Sequence, residues 1–344
     1  MLFKRWSNGA LTRAAMLFGT IVGCHAPAVA GSDKSSDTYA GDYSGGSLPT
    51  GTFVALQYLG YSHADAAVDS IGRGIQNSHA DVFDEFTRFA YVGQLEGHPL
   101  VIEAEIPFAT LTDVNIPGAS SRVAGGFMDP VLSLTYFFIA DAKIERWLGI
   151  TNFFYLPLGR SFDNQTALNV STARQFTSVP QIGYTEGLGK FSPALNAVFF
   201  DLVANASFHT NGNSPVASAS FPGVLTYDTL TQCTSYDVKT FLRYEPNTFL
   251  FAAVGIERSW GGEQTAANPR FAVTGQPIVT PQANLSLGKD DFLRGHFQFQ
   301  VPLAQDFTIA GDVFHDFDRV GGLRNDIGAE IRLTKLFFPQ PPSR

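Results

Sequence analysis

The chain has little cysteine, little charge and no concentration of positive charge, and each shortage excludes a class of protein. Cys24 and Cys233 are the only cysteines, and Cys24 lies in a leader sequence, so an intramolecular disulfide framework is excluded. Charged residues make up 16% of the 344 residues, whereas an ordinary soluble domain carries about 25%. The net charge of −8 gives no electrostatic basis for binding nucleic acid, which requires clustered Lys and Arg.

The first thirty residues have the order of a Sec-type signal peptide. A basic region is followed by ten apolar residues over 14–23 and by the small residues Ala28-Val29-Ala30 before the predicted cleavage site. Removing residues 1–30 takes away three positive charges and lowers the net charge to −11. An alternative is cleavage before Cys24, because residues 21–24 resemble a lipobox, in which this cysteine would carry a lipid anchor. Cleavage after Ala30 is favoured because its site follows so closely.

Past residue 30 the chain has no unbroken apolar run long enough to cross a bilayer as a helix, which needs roughly 20 residues. Aromatic residues nevertheless reach 13%, with 31 Phe, and there are 33 Gly. In a transmembrane barrel apolar side chains alternate with polar ones, so no continuous apolar run is needed. The composition of an exported chain of this kind therefore favours an all-β, antiparallel transmembrane β-barrel.

Alternation with a period of two supports this fold. It is clearest over 100–108, 293–301 and 327–338, where one face of each predicted strand is apolar and the other polar. Two other segments, 194–208 and 247–257, are apolar on both faces. Either the chain is a soluble exported β-sandwich with strands buried on both sides, or loops or the N-terminal tail pack into the barrel at these segments.

The connections between predicted strands alternate between short and long. Short turns are predicted at 96–99, 141–146, 187–190, 245–248 and 302–305, and long loops near 62–81, 111–126, 159–174, 209–233, 260–291 and 317–325. Outer-membrane barrels have short periplasmic turns and long extracellular loops. Counting gives about 12 strands, an even number with both chain ends on the short-turn side, if residues 276–289 belong to a loop. The predicted divisions are a signal peptide over 1–30, a flexible tail over 31–50, the barrel over 51–338 and a C-terminal tail over 339–344.

Several short motifs resemble those of a known family. They lie at 125–130, 155–159, 201–208, 211–213 and 331–338. Through them residues 50–338 resemble the outer-membrane transporters named after the MetA pathway of phenol degradation. The most specific are Asp129-Pro130 after glycines and the Pro-x-Gly of Pro157 and Gly159 after an aromatic strand. The resemblance implies an outer-membrane barrel that transports small organic molecules, among them aromatic or other hydrophobic compounds.

The C-terminus departs from the usual barrel pattern. Barrels usually end on a final aromatic residue that the outer-membrane assembly machinery reads, whereas here Phe338 is followed by six further residues. The Asp129-Pro130 pair is interpreted as structural, because proline cannot donate to a β-ladder and belongs at the first residue of a strand.

No catalytic or metal site is predicted. Residues 208–212 are similar to the His-x-Ser-Asn-Gly stretch of outer-membrane phospholipase A, but the serine that a histidine would activate is missing. Thr210 cannot replace it, because a shift of one residue turns a side chain to the other face of a strand. The seven His residues and Cys233 show none of the spacings of a zinc site. No cofactor is expected.

The polar faces of the predicted strands are expected to line the lumen, because a lipid-facing Arg or Lys at mid-depth costs about 2–4 kcal/mol. The candidate lumen or substrate-path residues are Asp84, Arg88, Glu103, Glu105, Lys239, Arg243, Arg294, His296, Asp312, Glu330 and Arg332. The predicted function is passive or facilitated passage of small organic solutes across a Gram-negative outer membrane. The alternatives are a structural or surface-binding barrel with a closed lumen, and the exported sandwich. The sequence does not indicate an oligomeric state.

Overall fold

The structure is a computed structural model, and it describes most of the chain after residue 37. The described residues are 38–69, 71–115, 123–124, 126–159, 168–169, 175–212, 216–218, 221–271, 275–278 and 284–339. The predicted signal peptide over 1–30 and the C-terminal residues 340–344 lie outside this part of the chain.

Twelve long strands, labelled β1 to β12 in chain order, build the protein. They are β1 Phe53–Ala67, β2 His79–Leu95, β3 His98–Asn115, β4 Val131–Asp141, β5 Arg146–Tyr155, β6 Thr177–Gly187, β7 Val198–His209, β8 Ser235–Asn247, β9 Leu250–Gly261, β10 Asp291–Ala304, β11 Phe307–Val320 and β12 Leu323–Phe337. Each strand pairs antiparallel with its neighbours in the chain.

The sheet closes into a barrel because β1 also pairs with β12. Their register places Tyr58 opposite Arg332 and Phe53 opposite Phe337. A closed sheet leaves no unpaired edge, and it excludes the two separate sheets of a sandwich. The predicted 12-stranded antiparallel barrel is confirmed, and the β-sandwich alternative is wrong.

The two faces of the barrel have the chemistry that the alternation predicts. On β12 the side chains of Ile327 and Ile331 point outward and are about half exposed. The next residue, Arg332, points inward and is buried. Exposed apolar side chains on all sides of the barrel form a belt that suits lipid. In the described part of the chain, no helix combines the length and the apolar character needed to cross a bilayer.

Most connections follow the predicted alternation of short and long. The turn between β2 and β3 has two residues, Glu96 and Gly97, both with positive φ (51° and 84°), as a type I′ hairpin requires. The predicted short turn at 187–190 is longer, spanning 188–197 with a 3-10 helix at Pro193–Leu195.

The long loop predicted near 317–325 is wrong. β11 continues to Val320 and β12 begins at Leu323, and only Gly321 and Gly322 connect them, with φ of 80° and 72°. The long loop predicted near 62–81 is shorter than predicted, because β1 continues to Ala67 and β2 begins at His79, so that residues 68–78 connect them. The loop predicted near 159–174 is longer, since β5 ends at Tyr155 and β6 begins at Thr177. The segment 284–288, assigned to a loop, pairs with the short strand Gln264–Ala267 outside the barrel sheet.

The N-terminal segment lies inside the barrel. Residues 38–52, here called the luminal segment, contain a 3-10 helix over Asp42–Ser47, and Tyr39, Ala40 and Tyr43 are buried. The sequence indicates a flexible tail over 31–50; the structure instead packs residues 38–50 against the inner wall, and 31–37 lie outside the described residues. The apolar inward side chains of the doubly apolar strands β7 and β9 contact this segment: Val203 lies in one cluster with Tyr43, and Phe251 in another with Ala40.

Candidate functional site

The candidate site is the lumen of the barrel, where side chains of the wall hold the luminal segment. The first anchor is Tyr43, whose hydroxyl is 2.8 Å from Thr151 Oγ1 and accepts a hydrogen bond from Gln181 Nε2 at 3.0 Å. Its ring lies edge-on to Phe137, with centroids 6.0 Å apart. It also lies over Gly183, where any side chain would collide with it: a Cβ there would be 1.9 Å from Tyr43 Cε2.

A second anchor joins the luminal segment to β12. Arg332 Nη1 donates to Asp42 Oδ1 at 2.7 Å, and its guanidinium carbon lies 4.1 Å from the centroid of the Tyr39 ring. Asp42 in turn accepts from the Tyr39 backbone N–H at 2.9 Å. The charge of Arg332 is thus compensated by the luminal segment and by a cation–π contact.

A third anchor is Arg243 on β8, whose side chain is only 2% exposed. Its guanidinium pairs with Asp201 at 3.0 Å and with Glu245, and it lies 4.5 Å from the Phe199 ring centroid. The same group donates to Ser44 Oγ at 3.2 Å. Because Arg243 bonds to both the wall and the luminal segment, it joins the two.

In the described part of the chain, two cavities of the lumen share Thr38 as a lining residue. The larger has a volume of about 510 Å³, and its wall includes Val54 and Leu336, which lie near the short-turn end. Aromatic and aliphatic side chains make up much of this wall. Its charged side chains are those of Arg88, Glu103, Arg243 and Arg332, together with Asp42 and Glu245. The smaller, of about 260 Å³, lies nearer the long-loop end and has charged walls.

An ion network surrounds the smaller cavity. Glu257 lies at its centre, 3.2 Å from Lys239 Nζ and 3.0 Å from His296 Nε2. The other ring nitrogen of His296 is 2.8 Å from Asp312 Oδ2, so the imidazole bridges two carboxylates. Arg294 connects this group to Asp316 at 2.7 Å. With both signs of charge paired in this way, the wall is polar but locally compensated.

The network continues to the long-loop rim. Arg319 pairs with Asp316 at 3.0 Å and with Asp290 at 2.5 Å. Burial raises the pKa of the Asp290 carboxyl to about 6, against the opposing effect of Arg319. Asp290 precedes β10, so this group belongs to the rim rather than to the lumen.

The structure places all eleven predicted residues on the inward face of the barrel. Those around the larger cavity are Arg88, Glu103, Arg243 and Arg332, and those around the smaller are Asp84, Lys239, Arg294, His296, Asp312 and Glu330. Glu105 lines neither of these two cavities; it is buried and bonded to Arg88 Nε at 2.8 Å. Inward orientation alone does not assign a role in transport.

Sequence reasoning missed Asp201 and Glu257, two of the most buried carboxylates of the lumen. Both lie in segments that are apolar on both faces, so neither was assigned to a polar row. Their position in the strand was the available signal, because residues an even number apart share a face. Asp201 is two residues from Phe199 and Glu257 is four from Ala253, and both of those apolar side chains face the luminal segment. Among the described residues, no group of three or more His, Cys, Asp or Glu side chains could hold a metal ion.

A closed antiparallel barrel with an apolar exterior and a polar lumen defines the class of transmembrane β-barrels. The crystal structure of the COG4313 outer membrane channel from Pseudomonas putida F1 is similar to 88% of this chain and to 100% of its own, with a TM-score of 0.70 and 18% identity. At this identity the similarity shows a shared fold.

Two further solved structures are similar to this chain at lower TM-scores. The Pseudomonas putida toluene transporter TodX is similar over 89% of this chain and 95% of its own, with a TM-score of 0.45 and 11% identity. The NanC porin is similar over 83% of this chain and 100% of its own, with a TM-score of 0.39 and 10% identity. No family model and no curated protein sequence matches the chain.

Proposed function

We propose that the protein is an outer-membrane channel for the passage of small organic molecules. The observation that carries this proposal is the pair of luminal cavities on either side of the residues around Thr38, within a barrel whose exterior suits lipid. A solute that crossed the barrel would pass the charged cavity, then the luminal segment, then the cavity with aromatic walls. The segment is the obstacle between them.

The walls of the larger cavity support a small organic solute as substrate. Phe137, Phe153 and Phe199 supply apolar surface, while Gln181 and Glu103 add polar groups that could orient a solute. Ligand sites commonly combine mainly apolar walls with a few polar groups in this way. A volume of about 510 Å³ is in the range of small-molecule sites. We propose that these solutes include aromatic or otherwise hydrophobic compounds.

The proposal has three further parts. The leader over 1–30 directs export, the outer-membrane assembly machinery inserts the barrel, and the long loops face the outside of the cell. The orientation rests on the barrel strands: the start of β1 at Phe53 and the end of β12 at Phe337 both lie on the short-turn side. In outer-membrane barrels that side faces the periplasm.

A structural barrel with a closed lumen is the second candidate, and the luminal anchors favour it. Arg332 and Arg243 each bond to the luminal segment, and buried ion pairs surround it. Reconstitution into planar bilayers distinguishes the two. A channel gives single-channel currents, at least in brief openings, and allows small organic solutes to enter liposomes. A chain that is folded, as judged by heat-modifiable migration on a gel, but gives neither signal would contradict the channel.

Glu103→Gln is expected to shift the ion selectivity of the channel toward anions. Glu103 lines the larger cavity and accepts from Ser133 Oγ at 2.5 Å, a bond that a glutamine can keep. Removing one negative charge from a confined wall alters selectivity because such charge is poorly screened. Reversal potentials in a salt gradient measure it.

Glu96→Gln is the matched control, because Glu96 is exposed in the two-residue turn between β2 and β3 and lines neither cavity. Its reversal potential should equal that of the unsubstituted protein. Glu105 is not used for this test, because it bonds to Arg88 and its replacement would leave that charge unpaired. Equal reversal potentials for Glu103→Gln and the control would remove Glu103 from the path.

Trypsin added to intact cells is expected to cut at Arg73 and Arg270 and to spare Lys143. Arg73 and Arg270 lie in long loops with side chains 75% and 47% exposed, whereas Lys143 lies in the short turn between β4 and β5. Mass spectrometry of the released peptides identifies the sites. Permeabilised cells provide the control, since cleavage at Lys143 should then appear. Cleavage at Lys143 alone in intact cells would reverse the orientation.

A further inference from the structure

A polar cluster interrupts the apolar exterior of the barrel on β1 and β2. Gln57 Nε2 donates to Glu85 Oε1 at 2.9 Å, and Thr87 Oγ1 donates to Gln57 Oε1 at 2.6 Å. Gln57, Glu85 and Thr87 are here called the exterior polar cluster. They face outward, because Gln57 is paired with Thr87, and Glu85 is paired with the outward Leu59.

The cluster lies in the middle of the apolar belt rather than at its rim. A lipid-facing band about 25 Å tall corresponds to roughly five outward side chains on a tilted strand. Those five are Phe53, Ala55, Gln57, Leu59 and Tyr61 on β1, and Tyr91, Phe89, Thr87, Glu85 and Phe83 on β2. The polar rim begins beyond them, at the His63–Asp81 pair.

A carboxylate at this depth has little to bond to in lipid. Hydrocarbon offers no hydrogen-bond donors, so polar groups in a membrane are usually paired within protein. Other outward-facing charges lie near strand ends, such as Arg146 with Glu186 and Lys335 with Asp306. Glu85 differs from them because Phe83 and Phe89, both exposed on the outside, lie on either side of Glu85 and Thr87 on the same strand.

We propose that the outer face of β1 and β2 binds a second copy of this chain, about a twofold axis through the exterior polar cluster. The cluster contains both donor and acceptor: the second N–H of Gln57 reaches only the Tyr58 carbonyl, at a long 3.4 Å, and the carboxylate of Glu85 has a further oxygen. A twofold axis brings the same patch against itself, so the Gln57 amide can face Glu85 of the partner subunit.

The flanks of the cluster supply the packing surface for such a dimer. Phe53 and Phe89 are stacked at 5.9 Å between centroids, and both are exposed on the outside. Aromatic side chains of this kind are enriched where membrane and protein surfaces meet partners. The partner is a second copy rather than lipid because hydrocarbon offers neither a donor nor an acceptor, whereas the same patch turned about a twofold axis offers both.

Disulfide cross-linking in native membranes tests the dimer. In a Cys233→Ser background, Leu59→Cys places a thiol beside the cluster, and Leu242→Cys places one at an exposed position on β8, diametrically opposite β2. Mild oxidation is expected to yield a covalent dimer from Leu59→Cys and not from Leu242→Cys. If both variants cross-link equally, or if neither cross-links, the proposal is wrong. The exterior polar cluster would then face lipid or bind another protein.

The polar contribution is tested with Gln57→Leu and Glu85→Leu combined. Sedimentation in mild detergent should show a dimer for the unsubstituted protein and a dissociation constant raised roughly tenfold for the double variant, the size expected for losing one or two polar contacts within a membrane. Heat-modifiable migration confirms that the variant barrel is folded. A monomer before substitution, or an unchanged dissociation constant, contradicts the proposal. Conductance per barrel is independent of both outcomes.

Discussion

Gly183→Ala is expected to raise the single-channel conductance of the barrel severalfold. A Cβ at this inward position of β6 would lie 1.9 Å from Cε2 and 2.1 Å from Cζ of Tyr43. The Tyr43 ring must therefore leave its place, and with it go the hydrogen bonds to Thr151 and Gln181. Since these bonds hold the luminal segment in the lumen, the segment loosens and the two cavities join.

Gly93→Ala is the matched control, because a Cβ there would meet no atom closer than 3.6 Å. It makes the same chemical change in a strand of the same sheet, so its conductance should equal that of the unsubstituted protein. Both variants are first checked for heat-modifiable migration. If folded Gly183→Ala conducts no better than Gly93→Ala, the luminal segment is not what limits passage, and the closed structural barrel is favoured.

The barrel itself was predictable because its constraints are local along the chain. A strand with lipid on one side and water or protein on the other must change polarity at every residue. The sequences of β10 and β12 show this alternation with a period of two. The predicted alternation therefore placed Arg294 and Arg332 inside and Phe297 and Ile331 outside, as the structure has them.

The packing of the luminal segment inside the barrel was predicted only as an alternative, from the two doubly apolar segments, because its partners are remote in sequence. Gly, Ser and Asp dominate 31–50 and indicate mobility when read locally. Its packing depends on Tyr39 and Tyr43 meeting residues more than one hundred positions away, such as Thr151. Two tyrosines in a polar stretch, together with inward apolar side chains such as Phe251, were the available signals.

The end of β11 was missed for a different physical reason. Asp316, Asp318 and Arg319 make both faces of this strand polar, and a segment polar on both faces is predicted to be a loop. A strand that continues past the lipid band, however, no longer needs an apolar outward face. Ion pairs such as Arg319 with Asp290 stabilise this polar extension instead.

Arg243→Met is expected to lower the free energy of unfolding by about 3–5 kcal/mol, as is typical when one partner of a buried ion pair is removed. Arg243 is nearly inaccessible, and its loss leaves Asp201 and Glu245 without their guanidinium. Thr185 still donates to Asp201 at 2.6 Å, but a neutral hydroxyl does not balance a buried charge. The luminal segment also loses its bond at Ser44.

Arg324→Met provides the comparison, because Arg324 pairs with Asp65 at 2.6 Å while both side chains remain well exposed. An exposed pair of this kind contributes about 0–1 kcal/mol. Urea titration of both variants in detergent, followed by tryptophan fluorescence and by heat-modifiable migration, gives the two free energies of unfolding. Because Arg243 connects wall and luminal segment, its variant should also conduct more, whereas Arg324→Met should not. Similar losses of stability in both variants would mean that the ion pair inside the lumen is as well solvated as the one at the rim.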